Sequence, residues 1–373
     1  MLSLMLRWPV CRVLAAWALA AAVAVLTAPV AIRASCGLVG LSFLVEFLTE
    51  GQQPWLSRVT SPPVVEPLAG PGTAEVDLWR PGGRDLGPRP GLILVHGLTP
   101  EGKRDSRLAW TADRLARAGF LVAVPELPAL RAQHLRPDDA SVIRTTLERL
   151  TAHPHVRRGP VTIISVSVGL GPVALALDAP PVAERVRLLL ALGGYGEARE
   201  LVRYFTTGAY AFGESTGRAA VDPALAASFL SRNPDLVPDP RDRAILMDVL
   251  AGSPAPGEPG PGGRAILALL QNRDPGRVDV LLDALPLETR QLLDTPSPAR
   301  HLARGSARLL LVHGRDDPAI PFSESGRLAA ATPGRSRLVL VGLIGHVEGQ
   351  APAWHRLTDL LRLWSVCYEL LAG

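Results

Sequence analysis

The sequence predicts an α/β chain: a mostly parallel, doubly wound sheet, a helical insertion late in that sheet, and an apolar segment near the N-terminus. Three observations predict it. Short continuous apolar runs alternate with segments of helical period, the pattern of buried parallel strands covered by helices on both faces. Residues 196–304 interrupt that rhythm with helical pieces and no convincing strand. Val13–Ile32 is a 20-residue run without a charge. With 373 residues, 47% apolar and 20% charged, the chain suits one enlarged folded domain rather than disorder.

The apolar run is long enough to cross a bilayer core of ~30 Å. Arg7 and Arg12 precede it and Arg33 follows, a bias that keeps the N-terminus in the cytoplasm and puts the rest outside. The alternatives are a cleaved signal peptide, with Ala34 at the cleavage site and a secreted product, or a buried helix of a soluble protein. A second apolar piece, Gly37–Leu48, is too short to span alone and is expected at the interface or packed on the main domain. Residues 1–50 thus read as an N-terminal anchor or signal segment, and residues 51–73, rich in Pro and Gly, as a linker. Residues 74–373 form the main domain, with 196–304 as its insertion.

Within that domain Ala74–Trp79 alternates as an early strand, and Gly91–Val95 is the first buried one. Ser106–Ala118 is helical, with Leu108, Ala112, Leu115 and Ala116 on one side and Gly119 as its stop. Phe120–Val124 is a strand ended by Pro125. Asp138–Thr151 is a helix with Val142, Leu147 and Leu150 inward. Val161–Ser165 is a strand, Val168–Leu177 a helix, and Val186–Leu192 a strand ended by Gly193-Gly194. The insertion offers helices at Ala224–Phe229, Asp242–Leu250 and Arg264–Leu270, with Gly252–Gly263 too rich in Pro and Gly for regular structure. Strand Arg308–Val312, helix Ser323–Ala331, strand Leu338–Val341 and helix Trp354–Leu371 close the chain.

Composition excludes several functions. The net charge is +4, Lys103 is the only lysine, and no basic run is dense enough for nucleic acid. The three cysteines, Cys11, Cys36 and Cys367, match no zinc spacing; Cys36 and Cys367 are either a disulfide of an exported domain or free thiols. No HExxH, Walker loop or strand-associated GxGxxG occurs, so no cofactor or metal is expected.

Four short stretches carry chemistry. In Val161–Gly171 a strand ends, one residue turns, and a helix of small residues begins, so that Ser167 projects above the sheet edge. The positions two before and two after must be small because strand and helix approach closely there. Gly169 satisfies the second, while Ser165 stands where glycine is usual. The N–H of Val168, at a helix N-terminus, points toward developing negative charge. The plainer reading is a capped strand-to-helix turn. Leu94-Val95-His96-Gly97-Leu98 follows a buried strand, and Gly97 lets the backbone bend there. After Arg308–Val312 the loop carries two acids, Asp316 and Asp317, in the setting a triad acid needs. His346 follows the last strand, where an imidazole can swing over the serine. His134, His153, His155, His301 and His355 have no strand ahead of them.

Taken together, these four stretches resemble the α/β-hydrolase superfamily, most closely its dienelactone hydrolase and prolyl-oligopeptidase-like esterase branches. The resemblance covers about residues 75–372 and is weakest over 196–304. It implies an α/β-hydrolase fold, a Ser167 nucleophile, an Asp317 acid and a His346 base, in the order Ser, Asp, His. Asp317 is favoured over Asp316 because His313-Gly314-x-x-Asp317-x-x-Ile320-Pro321 is similar to the family's acid motif. It also implies that the loop after Gly91–Val95 gives the second oxyanion N–H, from Leu98 rather than Thr99, with His96 structural. Dienelactone hydrolases use cysteine, so their substrate is not implied. The expected function is hydrolysis of a carboxylic ester through an acyl-enzyme, the insertion capping the site. The expected partners are a small acyl substrate, lipid-like if the anchor is retained, and the membrane. An inactive scaffold of the same fold, or a peptidase or acyltransferase on the same triad, are the alternatives. Phe205–Gly208 either lines the pocket or is a turn between cap helices.

Overall fold

The runs Gly91–Val95 and Leu121–Pro125 are buried at every residue, as strands covered on both faces must be. In the computed structural model, which describes residues 30–83, 87–134, 136–222, 224–254, 257–342 and 353–372, they lie inside an eight-stranded sheet. The strands are β1 (Val64–Pro67), β2 (Val76–Arg80), β3 (Gly91–Val95), β4 (Leu121–Pro125), β5 (Val161–Val166), β6 (Val186–Leu192), β7 (Ala209–Phe212), β8 (Ser215–Arg218), β9 (Arg308–Gly314) and β10 (Ser336–Val341). The sheet order is β1-β2-β4-β3-β5-β6-β9-β10, with β2 antiparallel to both neighbours and all pairings from β4 to β10 parallel. This order, with its single reversed strand, is the α/β-hydrolase fold. From β3 the chain first moves out to β4 and then returns past β3 to β5. The crevice beyond the C-terminal ends of β3 and β5 is therefore the switch point, where open α/β sheets bind ligands.

The covering helices form where the periodicity places them. Helix Ser106–Arg117 buries Leu108, Ala112, Leu115 and Ala116, and the Asp105 carboxylate caps it by accepting the Arg107 N–H. Helix Asp139–Ala152 buries Ile143, Leu147 and Leu150. β3, β6 and helix Ser323–Ala331 have the bounds the sequence suggests. The helix after Ser167 begins only at Leu170, behind a 3₁₀ turn over Ser167–Gly169.

Four expectations need correction. β1 lies inside the predicted linker 51–73; it is a short, largely exposed edge strand, so no buried alternation marks it. The insertion is not wholly helical, because β7 and β8 form a hairpin around Gly213, at φ 56°. The stretch Gly252–Gly263 ends in the first turn of helix Pro261–Gln271. The buried Asp242 carboxylate accepts the Gly260 and Gly263 N–H groups at 2.5 and 2.7 Å, which turns a Pro-Gly run into a capped helix start. Finally, helix Pro298–Leu302 is the crossover into β9, not cap: Ala299 and Leu302 pack in the main core with Leu170, Val173 and Ala174. The remaining insertion helices bury a core of their own around Leu230, Ile245, Leu246, Ile266, Leu269, Val278 and Leu282. Its two ends are stapled together. Tyr195 Oη donates to Pro296 O at 2.6 Å, and the Ala299 N–H donates to Gly196 O at 3.0 Å.

A separate unit comprises described residues 30–59 and 360–372. Of the run Val13–Ile32 only the last residues are described, and they open the helix Val30–Leu48. Gly37–Leu48 is therefore not an isolated short piece. It belongs to a 19-residue helix of mean hydropathy 1.7, long and apolar enough to cross a membrane. The Glu46 carboxylate accepts the N–H groups of Leu56 and Ser57, and Gly40 lies where a β-carbon would stand 3.4 Å from Cys367 Cβ. Cys36 and Cys367 are free thiols.

The approach to β2 hangs on one buried cation. Arg149 donates to the carbonyls of Leu68, Pro71, Gly72 and Ala74. Arg149→Met should lower the unfolding free energy by about 3 kcal/mol, because these carbonyls lose their donor. A urea melt reads it, and a loss well under 1 kcal/mol would contradict the account.

Candidate active site

β5 ends at Val166, and Ser167 turns the chain with φ at 53°. Among the described residues only Glu50 and Gln133 are other non-glycines at positive φ. An L-residue held there costs roughly 1–3 kcal/mol, so the surroundings must impose it. They do so by close approach. A β-carbon on Gly169 would stand 2.3 Å from His96 O, and one on Gly97 would stand 3.2 Å from both Ser167 Cβ and Val166 O. One on Gly171 would meet Tyr195 Oη at 2.6 Å. The elbow is thus pressed against the loop after β3 and the segment after β6.

Ser165, where glycine is usual, is fully buried and registers with Val95 and Ala191. Its side chain fits, but its Oγ finds no hydrogen-bond partner. The departure costs polar satisfaction rather than space.

The loop after β3 is shaped by His96, which is 1% exposed. The Leu127 N–H donates to His96 Nε2 at 3.2 Å, so Nδ1 carries the proton and donates to Gly97 O at 2.8 Å. Burial keeps this imidazole's pKa below its ordinary value and hence neutral. The Gly97–Leu98 peptide is planar and trans, so fixing its carbonyl toward His96 aims the Leu98 N–H the other way. No acceptor among the described residues takes the Leu98 N–H. The Val168 N–H lies in the first turn after β5, where no preceding helical carbonyl can reach it.

The loop after β9 turns Asp317 inward and leaves Asp316 exposed. Asp317 Oδ1 accepts the N–H groups of Ala319 and Ile320 at 2.8 and 3.1 Å. Oδ2 faces Gly193, where a β-carbon would come within 3.2 Å. Three contacts hold this loop. His313 Nε2 donates to Ile320 O at 2.9 Å while Nδ1 accepts from Ser325 Oγ at 2.6 Å; burial holds the His313 pKa low. Tyr204, on helix Ala198–Thr207 of the insertion, donates its hydroxyl to Pro318 O at 2.9 Å. Ile320 packs with Tyr195, Ala198 and Leu201, against which Val168 and Phe205 also lie.

Sequence reasoning places Ser167, Val168, Leu98 and Asp317 in three loops, and the fold puts those loops at the C-terminal ends of β3, β5 and β9, with β6 between the last two. His346 lies outside the described residues. The supports His313 and Tyr204 were missed, since no local pattern marks a side chain that bonds a distant carbonyl. Phe205–Gly208 is a helix end: Gly208 adopts φ 73° and its N–H caps Tyr204 O, leading into the β7–β8 hairpin. Among the described residues no three His, Cys, Asp or Glu side chains gather as a metal requires.

No protein-family model matches the sequence, and neither does any curated protein. Solved structures similar in fold include an acylaminoacyl peptidase of Pyrococcus horikoshii, at 12% identity over 83% of this chain and 41% of that one, TM-score 0.45. A puromycin-hydrolysing peptidase of Mycobacterium tuberculosis matches at 16% over 86% and 40%, TM-score 0.47. An acetyl xylan esterase from Paenibacillus sp. R4 matches at 13% over 79% of each chain, TM-score 0.44. This chain spans about two fifths of the length of the two peptidases. At such identities and TM-scores they add nothing to the fold, which rests on the strand order above.

Ser165→Ala should leave the elbow in place and raise the unfolding free energy by up to ~1 kcal/mol, because it removes a buried hydroxyl without a partner. Calorimetry checks it; a destabilisation of that size or more would show that the hydroxyl holds something.

Proposed function

We propose that this chain is a serine hydrolase that cleaves a carboxylic ester or related acyl bond through an acyl-enzyme. Ser167 is the nucleophile, His346 the general base and then acid, and Asp317 the orienting acid. The Leu98 and Val168 N–H groups receive the oxyanion. The observation that carries this reading is Ser167 itself, a serine held at φ 53° above the switch point of the sheet. A cap needs no such strain, whereas an exposed nucleophile does.

The chemistry follows from the groups around it. As Ser167 Oγ bonds to the substrate carbonyl carbon, its proton passes to His346, and the carbonyl oxygen becomes an oxyanion between the two N–H groups. His346 then gives the proton to the departing alkoxide, leaving the acyl group on Oγ. Water, deprotonated by His346, releases the acid and returns the proton to Ser167. Asp317 Oδ1 is committed to its own loop, so Oδ2 is the oxygen that takes the imidazole N–H. We also read the Val30–Leu48 helix and the uncharged run before it as a retained anchor, with the α/β unit outside the cytoplasm.

A fluorophosphonate probe should label the wild-type protein and not Ser167→Ala, and Asp317→Asn should lower kcat on p-nitrophenyl esters by roughly 10³–10⁴-fold. Equal labelling of both proteins, or none of the wild type, would sink the triad. Cleavage of aminoacyl anilides in preference to the esters would make the chain a peptidase on the same residues.

A further inference from the structure

Asp317 lies between β9 and the next helix, in a loop without regular structure, so bonds must set the direction of its carboxylate. Oδ1 accepts the N–H groups of Ala319 and Ile320 at 2.8 and 3.1 Å, an Asx turn. Pro318 and Ala319 are exposed, so packing does not hold this turn.

It is held instead at both ends by side chains from elsewhere. At the far end His313 Nε2 donates to Ile320 O at 2.9 Å. At the near end Tyr204 Oη donates to Pro318 O at 2.9 Å. Pro318 O and the Ala319 N–H belong to one peptide, which is trans and planar, so they point opposite ways. A carbonyl fixed on Tyr204 therefore aims the Ala319 N–H at Asp317 Oδ1. With Oδ1 taken, Oδ2 is left for another partner.

Tyr204 is built to hold such a bond. It is 2% exposed, and its pKa is raised first by burial and then by the Asp317 charge, so the hydroxyl stays protonated and donates. Its helix is fixed at the N-terminal end. The Glu324 carboxylate accepts the Gly196 and Glu197 N–H groups, and Ser297 Oγ accepts the Ala198 N–H. Its ring meets Tyr210 of β7 edge-on, with centroids 6.4 Å apart, and Tyr210 meets Phe322, just past the Asp317 loop, at 5.9 Å. Among the described residues, the other titratable group that faces the Asp317 carboxylate is His313. Its Nε2 lies 3.6 Å from Oδ2 but gives its proton to Ile320 O.

We propose that Tyr204 is a positioning residue for the proposed reaction: through the Pro318–Ala319 peptide it turns the Asp317 carboxylate so that Oδ2 serves His346. The inference rests on the triad reading above. A buried tyrosine that merely needed an acceptor for its hydroxyl would place no demand on Asp317.

The test is a double-mutant cycle of Tyr204→Phe and Asp317→Asn in the full chain, read by hydrolysis of p-nitrophenyl acetate. Phenylalanine keeps the ring and its packing and removes only the hydroxyl. Alone, Tyr204→Phe should lower kcat by about tenfold or more with KM changed less than about twofold. The rising limb of kcat/KM against pH should move to lower pH, because a carboxylate that strays from the imidazole raises its pKa less. On the Asp317→Asn background the same substitution should change kcat by less than about twofold, since its effect passes through the carboxylate. Hydrogen exchange at the Ala319 and Ile320 amides should quicken in Tyr204→Phe while that of β6 and β9 stays slow. If β6 and β9 loosen as well, the cycle still decides. A kcat like that of the wild type, an equal loss on both backgrounds, an unmoved pH profile or unchanged exchange at Ala319 and Ile320 overturns the inference. A wild type whose Ser167 takes no fluorophosphonate overturns the triad and the positioning role together. A labelled wild type with any of the contrary results overturns the positioning role alone.

Discussion

The turn after β5 and the loop after β3 approach each other more closely than two ordinary backbones can, and the rest of the proposed site depends on that contact. It is bought with glycine: at Gly169 a single β-carbon would collide with the His96 carbonyl, and at Gly97 it would crowd Ser167. β3 and β5 are hydrogen-bonded from Leu92↔Thr162 to Val95↔Ser165, so neither loop can drift from the other. Ser167 therefore has no room to relax out of its left-handed conformation. In the proposed mechanism the Leu98 and Val168 N–H groups belong to these two loops, one to each. His96 completes the arrangement from beneath, because its neutral, buried ring fixes the carbonyl that fixes the Leu98 N–H.

Asp317 is held by a different logic. Its loop has no regular structure, so four hydrogen bonds replace it: His313 to Ile320, Tyr204 to Pro318, and two from the loop's own N–H groups to the Asp317 carboxylate. Tyr204 belongs to the insertion, which makes the insertion part of the scaffold of the Asp317 loop. The waist at Tyr195–Ala198 and Pro296–Ala299 adds to this. The buried Glu324 carboxylate accepts the Gly196 and Glu197 N–H groups, and Ser297 Oγ accepts the Ala198 N–H. The insertion is thus fixed at both ends to the helix that follows the acid loop and to the crossover into β9.

Much of this was legible in the sequence because it is local. Buried parallel strands write continuous apolar runs, and β3 and β6 were readable to the residue for that reason. Ser167, Gly169 and Gly97 are legible because a sharp turn demands small residues at fixed spacing. What was not legible is long-range. β1 exists only because β2 offers it an edge, and the β7–β8 hairpin is held in a turn that four-residue strands barely announce. The Pro-Gly run became a helix start only through Asp242, eighteen residues upstream of Gly260.

The central claim is that the contact between the β3 and β5 loops holds Ser167 as a nucleophile beneath two oxyanion donors. The most direct measurement is a crystal structure of the protein after reaction with a phosphonate inhibitor. The account predicts phosphorus bonded to Ser167 Oγ, a phosphoryl oxygen within hydrogen-bond distance of the Leu98 and Val168 N–H groups, and His346 between the adduct and Asp317 Oδ2. An adduct on another residue, a phosphoryl oxygen turned away from both N–H groups, or a His346 imidazole that touches neither the adduct nor Asp317 would contradict it.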